Sequence, residues 1–290
     1  MKVEVIDVLP LVAVPSASGI AICGNLIFAI GDDSPFLHQL DRKLKPISNW
    51  PLFTSEQMET GRIPKSEKPD LEAMELVNGE ELVIFGSGSK SPERDVFIRV
   101  KVNEPPRTET YYISEFYSHL KELPVMEGSE LNIEAAAFHN GKMLLFNRRS
   151  PVLFEFNYEG FIKHLIQNGP IPPVNAYKIQ LPCIDGVDSG FSGATVSIQT
   201  GRLIVTASVE DTSNAYDDGR VLGSFVGWVP LDEYERSENY EFVRLQNENH
   251  VFKVESVALE HENSDTELIV LMTTDNDGGI SQLIRARLNW

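Results

Sequence analysis

Five oxygen-bearing side chains recur at near-even intervals, each opening a short apolar run. They are Ser18 in SGIAI, Glu72 in EAMEL, Glu134 in EAAAF, Ser192 in SGATV and Glu255 in ESVAL. The intervals are 54, 62, 58 and 63 residues. If the five meet at one centre, three carboxylates share a low-dielectric site and each raises the pKa of the others. A divalent cation removes that conflict. Carboxylates, hydroxyls and carbonyls suit a hard ion with roughly six to eight oxygen ligands, Ca2+ ahead of the strictly octahedral Mg2+. No His or Cys belongs to the set, which disfavours zinc. The competing use of such side chains is to cap backbone amides around an axis and enclose water.

A period near sixty residues predicts radial repetition of one small sheet, an all-β, five-bladed β-propeller. Each apolar run is followed by a turn: Gly24-Asn25, Asn78-Gly79, Asn140-Gly141, Thr200-Gly201 and the polar stretch His261 to Asp265. Asn-Gly pairs between apolar runs mark hairpins. Second strands follow at LIFAI, LVIFG, MLLFN, LIVTA and LIVLM, and third strands at FLHQL, VFIRV, VLFEF, SFVGWV and QLIRARL. The second strands are apolar at almost every position, as expected of strands covered on both faces. Fourth strands are weaker: YYISEF, AYKIQL, YEFVRL and a poor copy near Ile47 to Phe53. The fifth unit lacks one, and VEVIDVL at 3–9 supplies it, which closes the ring and leaves no open edge. The blades are then 12–53, 70–117, 132–181, 190–245 and 253–290 with 3–9, one domain over 1–290. Six blades with one degenerate copy is the alternative.

In such a blade the loop between the second and third strands lies on the same rim as the five recurring residues. Those loops carry Asp32 and Asp33; Ser87, Ser89, Lys90 and Arg94; Asn147, Arg148 and Arg149; Glu210 and Asp211; and Asp275, Asn276 and Asp277. The linkers add Lys68, Asp70, Asn132, Asp188 and Lys253. Arg148 and Arg149 could clamp an anion. Asp32 or Asp33 could orient or deprotonate a water. The plainer role for the arginines is a salt link to Asp32, Asp33 or Asp211 that steadies adjacent blades. SEFYSHLKEL at 114–123 reads as a short helix, and NAYDDG at 214–219 as a partial lid over the mouth.

Composition narrows the partners. The chain has 290 residues and a net charge of −18, which repels nucleic-acid backbones and anionic membranes. Cys23 and Cys183 are too few and too far apart for a disulfide framework. MKVEVIDVLPL lacks the apolar core of a signal peptide, so a cytoplasmic, monomeric protein with a small anionic ligand or substrate is expected.

The order Ser, Glu, Glu, Ser, Glu around five blades resembles the calcium-activated nucleotidases of the apyrase family, which implies an axial calcium. Asp32-Asp33 is similar to that family's Asp-Asp-Arg segment, and Phe146-Asn147-Arg148-Arg149 to its Pro-Arg-Arg stretch. Gly190-Phe191-Ser192, Glu210-Asp211 and Asp218-Gly219-Arg220 follow the order of its fourth blade, and Lys253-Val254-Glu255 resembles its Lys-x-Glu segment. The departures fall on the phosphate chemistry. Only Asp7 stands in for an N-terminal Asp-Leu-Asp, Ser34 replaces the Arg of Asp-Asp-Arg, and GSGSKSPERD replaces a Gly-Lys-Glu loop. The expected functions are therefore a metal-dependent hydrolase of phosphate esters or anhydrides, or a non-catalytic binding propeller with a structural calcium. A place among bacterial propellers with no assigned activity fits the same residues.

Overall fold

The computed structural model describes residues 1–53, 62–102, 106–211, 219–246, 250–275 and 280–290. Strand β1 spans Lys2–Pro10. The first blade is β2 (Ala17–Cys23), β3 (Leu26–Gly31), β4 (Phe36–Asp41) and β5 (Pro46–Pro51). The second is β6 (Leu71–Val77), β7 (Glu81–Gly86), β8 (Val96–Lys101) and β9 (Arg107–Tyr112). The third is β10 (Ile133–His139), β11 (Lys142–Asn147), β12 (Val152–Asn157) and β13 (Val174–Lys178). A small hairpin, β14 (Cys183–Ile184) with β15 (Val187–Asp188), leads into the fourth blade. That blade is β16 (Gly190–Ser197), β17 (Arg202–Asp211), β18 (Arg220–Pro230) and β19 (Glu241–Arg244). The last blade is β20 (Val254–Ser264), β21 (Glu267–Thr274) and β22 (Gln282–Asn289), completed by β1.

Each blade is a four-stranded antiparallel sheet, and there are five of them, so the sixfold alternative does not apply. The closing strand runs antiparallel to β22 from Lys2↔Asn289 to Pro10↔Gln282. The first hairpins form where the sequence carries residues that accept positive φ: Asn78 at 52° with Gly79 at 74°, and Asn140 at 49° with Gly141 at 74°. Positive φ lets the two-residue turn between paired His139 and Lys142, and the three-residue one between paired Val77 and Glu81, match the twist of their strands. In the fifth blade β20 runs on to Ser264, so its turn comes later than the polar stretch from His261 suggests.

Five wedges of apolar side chains fill the spaces between neighbouring blades. The largest lies between blades two and three. Two helices cover it: α1 (Ser114–Lys121), as its sequence suggests, and α2 (Tyr158–Gln167), which sequence reasoning missed. Asn157 caps α2 by accepting from the Gly160 amide at 2.7 Å. Its Phe161 is wholly buried, with ring centroids 4.8 Å from Phe116, 5.1 Å from Phe97 and 5.2 Å from Phe156. The Trp228 and Trp290 rings stack on each other with centroids 6.1 Å apart, and the Arg202 guanidinium lies over both, 4.7 and 4.3 Å from their ring centres. Such stacking fits blade four against the closing blade. No helix among the described residues is long and apolar enough to cross a membrane.

Phe161→Ala empties the centre of the aromatic cluster. It is expected to cost about 3–5 kcal/mol, read as a lower midpoint in urea unfolding. An unchanged midpoint would show that α2 is not part of the cooperative core.

Candidate ligand site at the axial mouth

A β-bulge accounts for the five recurring residues. In β2 the pairing passes from Ala17↔Gly31 to Gly19↔Ile30 and skips Ser18. Glu72 is skipped in β6, Glu134 in β10, Ser192 in β16 and Glu255 in β20. An extra residue in one strand bends it and re-aims the side chain. One bulge at the same position in every inner strand turns one side chain per blade out of the alternation of its strand.

The five do not behave alike. Ser18, Glu72, Glu134 and Glu255 line a cavity of about 570 Å3 at this end of the axis. Ser192 is fully buried and is engaged by Thr206 Oγ1 at 3.1 Å and Ser208 Oγ at 3.4 Å. Ser208 in turn donates to the Val254 carbonyl at 2.6 Å, which stitches blade four to blade five. Ser18 makes the equivalent stitch between blades one and two by donating to the Leu71 carbonyl at 2.5 Å.

The glutamates differ in their partners. Glu134 accepts from Asn132 Nδ2 at 2.7 Å and from Arg148 at 3.1 Å. Glu255 lies 3.3 Å from Lys253 Nζ and 3.9 Å from Arg148. Arg148 also reaches Glu210 at 3.0 Å, and Lys253 stands 3.7 Å from the same carboxylate. Arg148 can cross to the axis because Gly190 lies beneath it. A Cβ there would fall 2.2 Å from Arg148 Cγ and 2.9 Å from its carbonyl oxygen. Glu72 makes no hydrogen bond or ion pair with any described residue.

Asp32 and Asp70 flank Glu72, and one oxygen of each of the three lies within 4.8 Å of the others. Lys68 bridges Asp32 and Asp70, at 2.7 Å from the latter. Asp70 also accepts from Ser87 Oγ at 2.6 Å and Arg94 at 2.5 Å. Asp32 Oδ1 is buried without a hydrogen-bond partner among the described residues. Asp33 lies outside the cavity wall and pairs with Arg62 at 2.7 Å. Arg149 lines the cavity and pairs with no described residue. The sequence-predicted catalytic set is thus divided: Asp32, Arg148 and Arg149 border one cavity, Arg148 is taken up by glutamates, and Asp33 faces elsewhere. Asn276, Asp277 and most of the NAYDDG stretch fall outside the described residues.

Burial sets the proton chemistry. It pushes the Glu72 carboxyl well above the ordinary 4.5, and Asp70, Glu134 and Asp32 add to the rise while Lys68 opposes it. Burial also raises Glu134, against the pull of Arg148. Glu255 is pushed up to about 7, with Lys253 and Arg148 working against burial. Burial draws Lys68 down, but Asp70, Asp32 and Glu72 together carry it upward, so it remains an ammonium. Eight carboxyl groups and six cationic side chains line the cavity.

Sequence reasoning missed Arg148 as the common counter-ion of Glu134 and Glu255, which no local motif signals. It also missed a buried relay in blade one: Ser34 Oγ lies 3.0 Å from His38 Nε2, and His38 Nδ1 lies 3.1 Å from Asn49 Oδ1. The connectivity matches a hydrolase triad, but Ser34 is fully buried and does not line the axial cavity. Its role is to hold β4 against β5.

A carboxyl raised by folding binds more protons in the native than in the unfolded chain, so its contribution to stability falls as pH rises. For Glu255 the window runs from 4.5 to about 7. Relative to wild type, Glu255→Gln is expected to gain melting temperature steadily across that window in metal-free buffer. A constant or shrinking difference in melting curves would contradict the assignment.

A glutaminyl cyclase from Myxococcus xanthus superposes with a TM-score of 0.55 at 12% identity, over 99% of this chain and 96% of that one. A virginiamycin B lyase from Staphylococcus aureus gives 0.48 at 9% identity, over 99% of this chain and 100% of that one. An aldose sugar dehydrogenase from Streptomyces coelicolor, in its PQQ-bound form, gives 0.49 at 11%, over 98% and 97%. At 12% identity the likeness to the glutaminyl cyclase is one of fold alone. No curated protein matches the chain. The model of a family of unknown function, DUF6929, matches residues 13–288, and the apyrase resemblance finds no support beside it. The chain belongs to the DUF6929 family.

Proposed function

We propose that the mouth of this propeller binds a divalent, oxygen-liganded cation, and that a small anionic molecule docks over it. The observation that carries the reading is Glu72. Its carboxylate has no partner among the described residues, and Asp70, Glu134 and Asp32 all act to repel its charge. A group so placed must hold a proton or be offset by a cation.

The donor set fits a hard ion. Glu72, Asp70 and Asp32 offer three carboxylate oxygens within 4.8 Å of one another, and Asp32 Oδ1 is an orphaned buried acceptor. Ca2+ is favoured over Mg2+ because the oxygens are carboxylates on separate strands and loops rather than a rigid octahedron. Lys68 already serves Asp32 and Asp70, so the ion would sit toward Glu72. When bound, the cation would offset charge on a phosphoryl or similar oxyanion. Arg149 is the cavity cation with no described partner, which suits it to hold an anion. Glu255, with a carboxyl near 7, can accept or release a proton at neutral pH. These groups suit hydrolysis of a phosphate ester or anhydride. The binding-only reading has its own support: Arg148 and Lys253 are spent on glutamates, which leaves few cations to clamp a triphosphate.

Titration of Ca2+ into the metal-free full chain is expected to show one site and a rise in melting temperature. Glu72→Gln should weaken that binding at least about tenfold. Arg149→Ala should leave the cation alone and weaken binding of inorganic phosphate by about tenfold or more. Phosphate release from nucleotides and sugar phosphates, with Ca2+ against EDTA, then separates hydrolysis from binding alone. No response to either Ca2+ or Mg2+ would overturn the cation site.

A further inference from the structure

A second chamber, of about 200 Å3, lies on the axis beyond the mouth and shares no lining residue with it. Its walls are the inner strands of four blades: Ile20 of β2, Met74 and Glu75 of β6, Thr195 of β16 and Val257 of β20. At the third position after each bulged residue the blades carry Ala21, Glu75, Ala137, Thr195 and Ala258. Four of the five are small, and a single carboxyl, that of Glu75, borders the room they leave.

That carboxyl is poorly satisfied. One oxygen of Glu75 accepts from the Leu76 amide at 2.9 Å, and no cation or other donor among the described residues meets it. The Thr195 hydroxyl, across the chamber, makes no hydrogen bond with any described residue. Each inner strand is also the terminal strand of its sheet, so its axial edge carries backbone groups outside the ladder. On the surrounding strands Glu72, Glu134 and Glu255 lie three positions toward the mouth. His139, Glu260 and His261 lie toward the opposite face. None of the six borders the chamber. Burial alone pushes Glu75 up to about 8.

We propose that this chamber is a second ion site, holding one monovalent cation between the Glu75 carboxylate, the Thr195 hydroxyl and carbonyl oxygens of the inner strand edges. The charge of the ion follows from the walls. One carboxylate among aliphatic side chains neutralises one positive charge, and a divalent ion would leave a net charge in a low-dielectric space. The site is independent of the cation at Glu72.

The test is the melting temperature of the full chain at about pH 8, where Glu75 titrates, in matched concentrations of sodium, potassium and choline chloride. Sodium or potassium is expected to raise it by about 2–4 °C over choline. The rise should vanish in Glu75→Gln and in Glu75→Ala, which places the alanine of blades one, three and five in blade two. It should persist in Glu72→Gln. Equal melting in the three salts would overturn the proposal, as would a response that survives Glu75→Gln or is lost in Glu72→Gln. Should either Glu75 variant fold poorly, crystals of the unaltered protein soaked in thallium(I) decide. An anomalous peak beside Glu75 is expected, and none in the chamber refutes the site.

Discussion

Convergence of like charge at the axis is the constraint around which this molecule is arranged. A bulge in each inner strand aims one oxygen-bearing side chain out of its sheet, and in three blades that residue is a glutamate. Carboxylates gathered in a poorly solvated space destabilise the fold unless something opposes them. Arg148 and Lys253 answer Glu134 and Glu255, and Lys68 answers Asp32 and Asp70. Glu72 is left over, and with it the reason to look for a ligand there.

The rest of the fold holds these groups still. Five apolar wedges lock neighbouring blades, and the pairing of β1 with β22 stops the ring from opening. The serines of the ring serve the same end. Ser18 and Ser192 spend their hydroxyls on joints between or within blades, Ser18 directly and Ser192 through Ser208. A mouth so fixed presents its charges without reorganisation.

Local signals made the architecture legible. Asn78-Gly79 and Asn140-Gly141 take positive φ where a hairpin needs it, and the buried second strands read as unbroken apolar runs. The period of about sixty residues then gives the blade count. Pairing across blades was not legible. Arg148 meets Glu210 across 62 residues of chain, through a path opened by the missing side chain of Gly190. Ser192 looks like Ser18 in sequence, yet it lies under the surface because Thr206 and Ser208 of the adjoining strand claim it. Helix α2 had a signal in the Asn157 cap and the apolar spacing of Phe161, Ile162 and Leu165. Glu75 was hidden because the repeat is set by Glu72, and a second glutamate three residues on has no counterpart in the other blades.

The most direct measurement is a crystal structure of the protein grown near neutral pH with Ca2+ present. The account predicts a single peak beside Glu72, with carboxylate oxygens of Glu72, Asp70 or Asp32 at about 2.3–2.6 Å from it. A water-filled or dry mouth, with Glu72 turned away from Asp70 and Asp32 and no ion between them, would contradict it.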